Sequence, residues 1–127
     1  MKHILYVDDE IEMLDAVKKA LEHHGFLVTT ASDGPRALEI LPSNIPDIII
    51  IDLRMEPMNG FELFEHIRKI PALKSIPIFI LTALKDPLTQ KYSETLGVDA
   101  FITKPFDVDE LAELITKRLS SNDMKTG

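Results

Sequence analysis

Two uninterrupted apolar runs in the middle of the chain, Ile48–Ile51 and Ile78–Leu81, constrain the fold more than any other feature. A strand with one solvent-exposed face alternates apolar and polar residues, whereas a strand buried on both faces is a continuous hydrophobic run. Both runs therefore belong in the middle of a sheet that is covered on its two sides. The first run ends in a carboxylate, Asp52, and an acid at the end of a buried strand requires an explanation.

Shorter apolar runs and helical patterns alternate along the rest of the chain. The predicted strands cover residues 3–7, 26–31, 47–52, 76–82 and 100–103. A segment with helical spacing follows each strand; the third begins with an Asn59–Glu62 cap, and the last begins with Asp107 and Glu110. Connections of helical length suit parallel pairing. We therefore predict an α/β fold of three layers, with a five-stranded parallel sheet between five helices.

The composition indicates one soluble globular domain. The chain has 127 residues, of which 45% are hydrophobic and 28% are charged. We expect the domain to cover residues 1–120 and residues 121–127 to form a short C-terminal tail. The formal net charge is −7 and no basic patch is present, so we expect no direct binding to nucleic acid.

Nothing in the sequence indicates export or a membrane. The chain has no cysteine, which excludes disulfides and thiolate chemistry and suits the cytosol. Its N-terminus reaches acidic residues too soon for a signal peptide, and no apolar run approaches the ~20 residues that a membrane span needs. We expect a cytoplasmic protein without membrane contact.

Polar side chains end or directly follow four of the five predicted strands, at the edge where open α/β sheets build their ligand sites. These residues are Asp8, Asp9, Asp52, Thr82 and Lys104. If the first, third, fourth and fifth strands are neighbours, three carboxylates, a hydroxyl and an ammonium group converge in one crevice. Three acids so close repel one another, and a single lysine neutralises too little of their charge. Oxygen ligands without His or Cys favour a hard cation, Mg²⁺ first and Mn²⁺ as a substitute.

With such a cation in place, one carboxylate could act as a nucleophile. Attack on a phosphoryl group would make an acyl phosphate, while the cation and Lys104 neutralise charge on the transferring oxygens. Asp52 is the best candidate because it is central and isolated, whereas the adjacent acids Asp8 and Asp9 are typical of a metal clamp. Thr82 could donate its hydroxyl to a phosphoryl oxygen.

Each residue taken singly also has a simpler interpretation. Asp9 could cap the first helix, with Glu12 completing a capping box. In the same way, Asp52 could be a turn residue, Thr82 a strand-end hydroxyl, Lys104 a solvated charge and Phe101 a core residue. The coincidence of five suitable residue types at the carboxyl ends of strands favours the site. The four histidines have no partner at ligand spacing, and we assign them no role.

Four segments together resemble the response-regulator receiver domain of two-component signalling. They are VDDE after the first strand, IIIIDLRM with Gly60 eight residues past the acid, FILTA, and FITKPF. The resemblance covers about residues 2–120. It implies a flavodoxin-like (βα)₅ fold with strand order 2-1-3-4-5, like that of single-domain chemotaxis regulators.

The resemblance also implies roles for individual residues. Asp52 would accept a phosphoryl group from a histidine kinase or a histidine phosphotransfer protein, and Mg²⁺ would be held by Asp8, Asp9, Asp52 and the backbone carbonyl of Arg54. The phosphate would be contacted by Thr82 and Lys104, and the Lys104–Pro105 bond would be cis.

A switching motion is implied as well. Thr82 would move toward the phosphate and Phe101 would turn inward, which would change the surface of helix four, strand five and helix five and so control partner binding. The thin apolar stripe of helix four, formed by Leu88, Tyr92 and Leu96, suits a weakly anchored, movable element.

The sequence departs from the family pattern in three places. Glu56 stands where the family usually has proline, and Pro57 comes one residue later; Pro57 favours an extended Glu56. We hypothesise that Glu56 pairs with Arg54 or with a metal-bound water. Phe101 lacks a tyrosine hydroxyl, so switching would depend on packing alone. Leu84 has no group to orient an attacking water, which predicts a long phosphoryl lifetime that Arg54 could modulate.

The sequence thus predicts a phosphorylation-activated switch. We expect that it is not an enzyme and that it catalyses at most its own slow, Mg²⁺-dependent dephosphorylation. We expect a stand-alone regulator; the alternative is a receiver domain cut from a longer protein. Its target would be an unknown downstream protein or a fused output domain. Three rival functions agree less well with the sequence. A haloacid-dehalogenase-type phosphatase would need Asp-x-Asp after the first strand, a non-phosphorylated adaptor would not need the acidic site, and an FMN carrier would need a phosphate loop.

Overall fold

The computed structural model describes residues 1–83 and 86–126, the last six of these as backbone only. The strands are β1 His3–Val7, β2 Leu27–Ala31, β3 Ile48–Asp52, β4 Ile78–Thr82 and β5 Ala100–Thr103. The helices are α1 Ile11–His23, α2 Gly34–Ile40, α3 Gly60–Arg68, α4 Pro87–Leu96 and α5 Val108–Thr126. Short 3₁₀ turns follow α2 and α3 at Leu41–Ser43 and Pro71–Leu73.

All five strands form one parallel sheet in the order β2-β1-β3-β4-β5. The predicted flavodoxin-like topology is therefore confirmed. In the register of the sheet, Asp52 lies opposite Leu81 and Thr82 lies opposite Thr103. The carboxyl ends of β3, β4 and β5 consequently lie side by side at one edge.

The central strands are buried on both faces, as their apolar runs predicted. Ile48 and Ile50 of β3 belong to a core beneath α1 and α5, whereas Ile49 and Ile51 belong to a second core beneath α2 and α3. Alternate side chains of a strand point to opposite faces, so one isoleucine run fills both cores. The result is the predicted three-layer arrangement, with β3 rigidly held in the middle.

Helix α4 is the least buried of the elements that lie near the site. Its buried residue is Ser93, while Leu88 is 76% exposed and Tyr92 is 47% exposed. Only Leu96 of the predicted apolar stripe packs against a core. Tyr92 instead makes an edge-to-face contact with Phe61 of α3, at 4.9 Å between ring centroids.

Several element ends follow local sequence signals. Asn59 and Glu62 form the predicted capping box of α3, and Asp33 accepts a hydrogen bond from the backbone of Arg36 at the start of α2. Strand β4 begins at Ile78 rather than Ile76, because Pro77 has no N–H for the ladder. Gly97 ends α4 with a left-handed φ of 91°.

The ends of the first and last helices bear on two features of the sequence. The N-cap position of α1 is Glu10 and it carries no side-chain cap bond, so the alternative role of Asp9 as a capping residue is not found. Helix α5 continues to Thr126, and the division into a domain of residues 1–120 and a tail of residues 121–127 stays a prediction. Within residues 1–83 and 86–126, none of the helices has the length and apolar character needed to cross a membrane.

Candidate phosphoryl-acceptor and metal site

The three predicted acids lie together at the carboxyl edge of the sheet. One carboxylate oxygen from each of Asp8, Asp9 and Asp52 lies within 4.8 Å of the other two. Asp8 and Asp52 are buried, whereas Asp9 is exposed. The cluster therefore has two acids held in the protein and one at the solvent side, from which a cation could approach.

Lys104 contributes a positively charged side chain to this cluster. Its Nζ lies 2.7 Å from Asp52 Oδ1 and 3.4 Å from Asp8 Oδ2, and its side chain is only 14% exposed. One ammonium group among three carboxylates leaves a formal charge of −2. An all-oxygen donor set with that residual charge fits a hard divalent cation such as Mg²⁺.

The electrostatics of the site depend on burial. Burial raises the pKa of Asp52 to about 6, although its hydrogen bond with Lys104 acts in the opposite direction, and the negative charge of Asp8 raises that pKa further. Burial lowers the pKa of Lys104, but its hydrogen bond with Asp52 and the charges of Asp52 and Asp8 outweigh it, so the net shift is upward. Lys104 therefore stays protonated while Asp52 is more basic than an ordinary aspartate.

The loop after β3 folds back onto the strand that carries Asp52. The backbone N–H of Gly60 donates to the carbonyl of Leu53 at 2.8 Å. A Cβ at Gly60 would lie 2.9 Å from both the Asp52 carbonyl oxygen and the Leu53 Cα, which real Cβ atoms do not tolerate. The eight-residue spacing from Asp52 to Gly60 thus brings the loop into close backbone contact with the strand end.

Thr82 and Phe101 lie on the neighbouring strands. Thr82 is buried at the end of β4, and its carbonyl accepts a hydrogen bond of 2.7 Å from the backbone N–H of Lys104. Phe101 lies opposite Ile80 in the ladder and packs, partly buried, against the core beneath α2 and α3. The two predicted switch residues are therefore on adjacent strands, with Phe101 two residues before Thr103, which lies opposite Thr82.

Arg54 and Glu56 lie on the solvent side of the site. Both are exposed and, with Asp9, they line an open cavity of about 550 Å³. In the described part of the chain no ion pair joins Glu56 to Arg54, so the hypothesised pairing of these two side chains is not found. The alternative, a contact of Glu56 with a metal-bound water, stays a prediction. Leu84 lies outside the described residues.

Two peptide bonds at the site are cis. Lys104–Pro105 is cis, in agreement with the expectation from the resemblance, and Glu56–Pro57 is cis as well. The second of these was not foreseen, because the position of Pro57 indicated only an extended Glu56.

Tyr6 contacts the acidic cluster and was missed by the sequence analysis. Its hydroxyl, fully buried on β1, donates a hydrogen bond of 2.6 Å to Asp8 Oδ2. Burial, strengthened by the bond to Asp8, raises the Tyr6 pKa far above its ordinary value, so the hydroxyl keeps its proton. The available signal was the two-residue spacing from Tyr6 to Asp8, which puts both side chains on one face of a strand.

Comparison with known proteins identifies the family to which the chain is similar. The family model of the response regulator receiver domain matches residues 4–116. The transcriptional regulatory protein CrdR of Helicobacter pylori is 36% identical over 122 residues, which cover 96% of this chain and 56% of CrdR. The response regulator SaeR of Staphylococcus aureus is 33% identical over 120 residues, covering 94% of this chain and 51% of SaeR. The chain thus spans about half the length of these two relatives.

Solved structures show the same likeness. The receiver domain of the Francisella response regulator 1452 is 30% identical and superposes with a TM-score of 0.89, covering 96% of this chain and 99% of that one. The chemotaxis protein CheY4 of Vibrio cholerae is 32% identical with a TM-score of 0.87, covering 92% of this chain and 98% of that one.

Proposed function

Because this chain belongs to the response-regulator receiver domain family, we propose that it is a phosphorylation-activated signalling switch whose phosphoacceptor is Asp52. The observation that carries the proposal is the environment of this carboxylate. Asp52 ends a fully buried strand, lies 2.7 Å from an ammonium group and shares a cluster with two further acids. A role as a turn residue would not require that combination.

The proposed chemistry is transfer from a phosphohistidine of a histidine kinase or a histidine phosphotransfer protein. An oxygen of the ionised Asp52 carboxylate attacks the phosphorus and forms a P–O bond. The P–N bond breaks, and its electron pair stays with the departing imidazole nitrogen. Lys104, already against Asp52 Oδ1, would place its positive charge beside the transferred oxygens.

Four groups would hold Mg²⁺, or Mn²⁺ in its place. They are the carboxylates of Asp8, Asp9 and Asp52 and the backbone carbonyl of Arg54. When bound, the cation supplies positive charge that neutralises the phosphoryl oxygens during transfer. Asp8 and Asp9 bind and orient, while Asp52 both binds and reacts. The oxygen-only donor set and its residual negative charge support this assignment.

The readout of phosphorylation would pass through Thr82 and Phe101. A phosphoryl group adds roughly −1.5 to −2 charges at the site, which attracts the Thr82 hydroxyl and the Lys104 ammonium. Movement of the buried Thr82 would leave space that Phe101, only partly buried on the adjacent strand, could fill. The surface formed by α4, β5 and α5 would then favour a different partner-binding state. The sparse burial of α4 supports this step.

The protein would not be an enzyme in the ordinary sense. It would accept one phosphoryl group and lose it slowly, since Leu84 provides no polar group for an attacking water. Its target would be a downstream protein or an output domain of the same polypeptide. A phosphatase acting on small esters is less well supported, because the nucleophile candidate stands on β3 rather than after β1.

Intact-mass analysis tests the proposal directly. The protein is incubated with acetyl phosphate and Mg²⁺, alongside the variants Asp52→Asn and Asp33→Asn; the latter removes an acid that caps α2 instead. We expect wild type and Asp33→Asn to gain one phosphoryl group, and Asp52→Asn or magnesium-free wild type to gain none. Labelling that persists in Asp52→Asn, or turnover of p-nitrophenyl phosphate, would overturn it.

A further inference from the structure

Tyr6 makes a polar contact with the proposed metal site that the proposed function does not use. Its side chain is fully buried, and its hydroxyl donates to Asp8 Oδ2 at 2.6 Å. Strand β1 carries Tyr6 and pairs with β2 on one side and β3 on the other. Asp8 lies just past the end of β1, and its backbone N–H donates to the Ala31 carbonyl at 3.1 Å, so the backbone of both residues is held rigidly. The position of the hydroxyl relative to Asp8 is therefore set by the sheet.

Three donors among the described residues hold the Asp8 carboxylate. Oδ2 accepts from the Tyr6 hydroxyl at 2.6 Å and from Lys104 Nζ at 3.4 Å, and Oδ1 accepts from the backbone N–H of Glu10 at 3.0 Å. An ionised carboxylate has about four acceptor positions, two on each oxygen. The position that stays available is therefore on Oδ1. The hydrogen bonds fix both the plane of the carboxylate and the oxygen that it can offer to a cation.

We propose that Tyr6 is a positioning residue for Mg²⁺ binding, which occupies Oδ2 of Asp8 so that Oδ1 faces the cation. The inference rests on the proposed function, since it takes Asp8 as a metal ligand. Groups that orient a metal ligand through a hydrogen bond typically contribute 10- to 100-fold in metal affinity. Without the tyrosine hydroxyl, Asp8 would keep one long contact to Lys104 on Oδ2 and could rotate.

A purely structural role is the competing explanation. A buried hydroxyl needs a hydrogen-bond partner, and Asp8 could serve Tyr6 rather than the reverse. In that case removal of the hydroxyl would change the stability of the protein but not its affinity for Mg²⁺. The two roles therefore separate in a binding measurement made well below the unfolding temperature.

The test is isothermal titration calorimetry of Mg²⁺ into wild type, Tyr6→Phe and Tyr92→Phe. Tyr92 is the matched control, because it is the other tyrosine of the chain and lies exposed on α4. We expect Tyr6→Phe to bind Mg²⁺ about tenfold more weakly and Tyr92→Phe to match wild type within about twofold. Affinity of Tyr6→Phe within about twofold of wild type overturns the inference and leaves the proposed function intact. A wild type that binds no Mg²⁺ overturns both.

A second measurement serves if Tyr6→Phe does not fold. The chain has two tyrosines and no tryptophan, so Tyr6 is the sole fluorophore of Tyr92→Phe. A hydrogen bond from a tyrosine hydroxyl to a carboxylate quenches its emission. A cation on Oδ1 draws electron density from the Asp8 carboxylate and so weakens the hydrogen bond that Oδ2 accepts from Tyr6. We expect Tyr6 emission to change with the midpoint that calorimetry gives. Emission that stays flat through a titration in which calorimetry detects binding overturns the inference.

Discussion

The ammonium group of Lys104 bridges Asp52 and Asp8, at 2.7 Å from Asp52 Oδ1 and 3.4 Å from Asp8 Oδ2. Lys104 directly follows β5 and Asp52 ends β3, with β4 between these two strands. The ion pair therefore joins chain segments across an intervening strand. It neutralises one of three acids, and the charge that remains determines how the site responds to pH and to substitution.

Asp52→Asn should make the cation-free protein more stable at pH 7. The pKa of Asp52 is raised from 3.8 to about 6 by burial, so the folded state binds this proton more tightly than the unfolded state. Stability then falls as pH rises from about 4 to about 6, and the loss is complete above that window. We expect the variant to gain about 1–3 kcal/mol at pH 7 and almost nothing below about pH 4. Urea unfolding in EDTA at both pH values measures the difference.

The matched control for this experiment is Asp33→Asn. Asp33 caps α2 through its side chain, and asparagine caps a helix about as well as aspartate does. Its stability should follow wild type at both pH values. A gain of Asp52→Asn that is equal at pH 4 and pH 7 would contradict the assignment of the raised pKa.

Lys104→Gln should raise the pKa of Asp52 above about 6 in the absence of divalent cations. Both influences that lower this pKa, a hydrogen bond and a charge, come from Lys104. Carbon-13 NMR of the aspartate carboxyl groups follows the titration. Lys19→Gln is the control, because Lys19 makes a similar ion pair with Asp15, at 2.9 Å, on the exposed face of α1. An unchanged Asp52 titration in Lys104→Gln would refute the coupling.

Gly60→Ala should destabilise the fold by about 1–3 kcal/mol, the usual cost of forcing extra atoms into a packed region. The new methyl group would meet the backbone of Asp52 and Leu53 at 2.9 Å, and backbone cannot move aside without displacing β3. Gly34→Ala is a close control, since Gly34 also begins a helix but faces the flexible side chain of Met58. Thermal unfolding should show the larger loss for Gly60→Ala, and equal losses would argue against a special role for this contact.

Ser93→Ala should stabilise the protein by about 1 kcal/mol. The Ser93 hydroxyl is buried on α4 without a hydrogen-bond partner among the described residues, and an unsatisfied buried polar group is unfavourable. Alanine also has the higher helix propensity. Thr95→Ala provides the comparison on the same helix, since the exposed Thr95 hydroxyl donates to the Lys91 carbonyl. Chemical denaturation measures the free energy of unfolding, and a lower value for Ser93→Ala than for wild type would contradict the prediction.

Leu84→Glu should shorten the lifetime of the phosphorylated protein by roughly tenfold or more. A carboxylate two residues past Thr82 could orient and activate the attacking water, which general-base groups do effectively. Loss of the phosphoryl mass after removal of acetyl phosphate gives the rate, with Leu84→Met as the apolar control. Hydrolysis that is barely faster in Leu84→Glu, or slower, would count against the prediction.

The fold was predictable because its signals are local. The isoleucine run of β3, the Asn59–Glu62 capping box and Gly97 at the end of α4 each occur in a few consecutive residues, and each produced the expected element. The error in β4 has a local cause too. Pro77 shortens β4 by two residues relative to the predicted strand.

The site was predictable only as a set of residues. Polar side chains at the ends of parallel strands must meet at one edge, so the grouping of Asp8, Asp9 and Asp52 followed from strand order. The distances did not follow, because Lys104 reaches Asp52 across β4 and Gly60 reaches Leu53 from the far end of a loop. Contacts between residues distant in sequence depend on the twist and register of the whole sheet.

The amino-acid sequence by itself determined the elements of this protein, their parallel arrangement and which polar residues end the strands, because hydrophobic periodicity and helix caps act over short stretches of chain. Tertiary structure alone decided the ion pair of Lys104 with Asp52, the hydrogen bond from Tyr6 to Asp8 and the burial of the Ser93 hydroxyl without a partner among the described residues. These depend on which side chains are left facing one another once both faces of the sheet are packed, and on how much water that packing excludes.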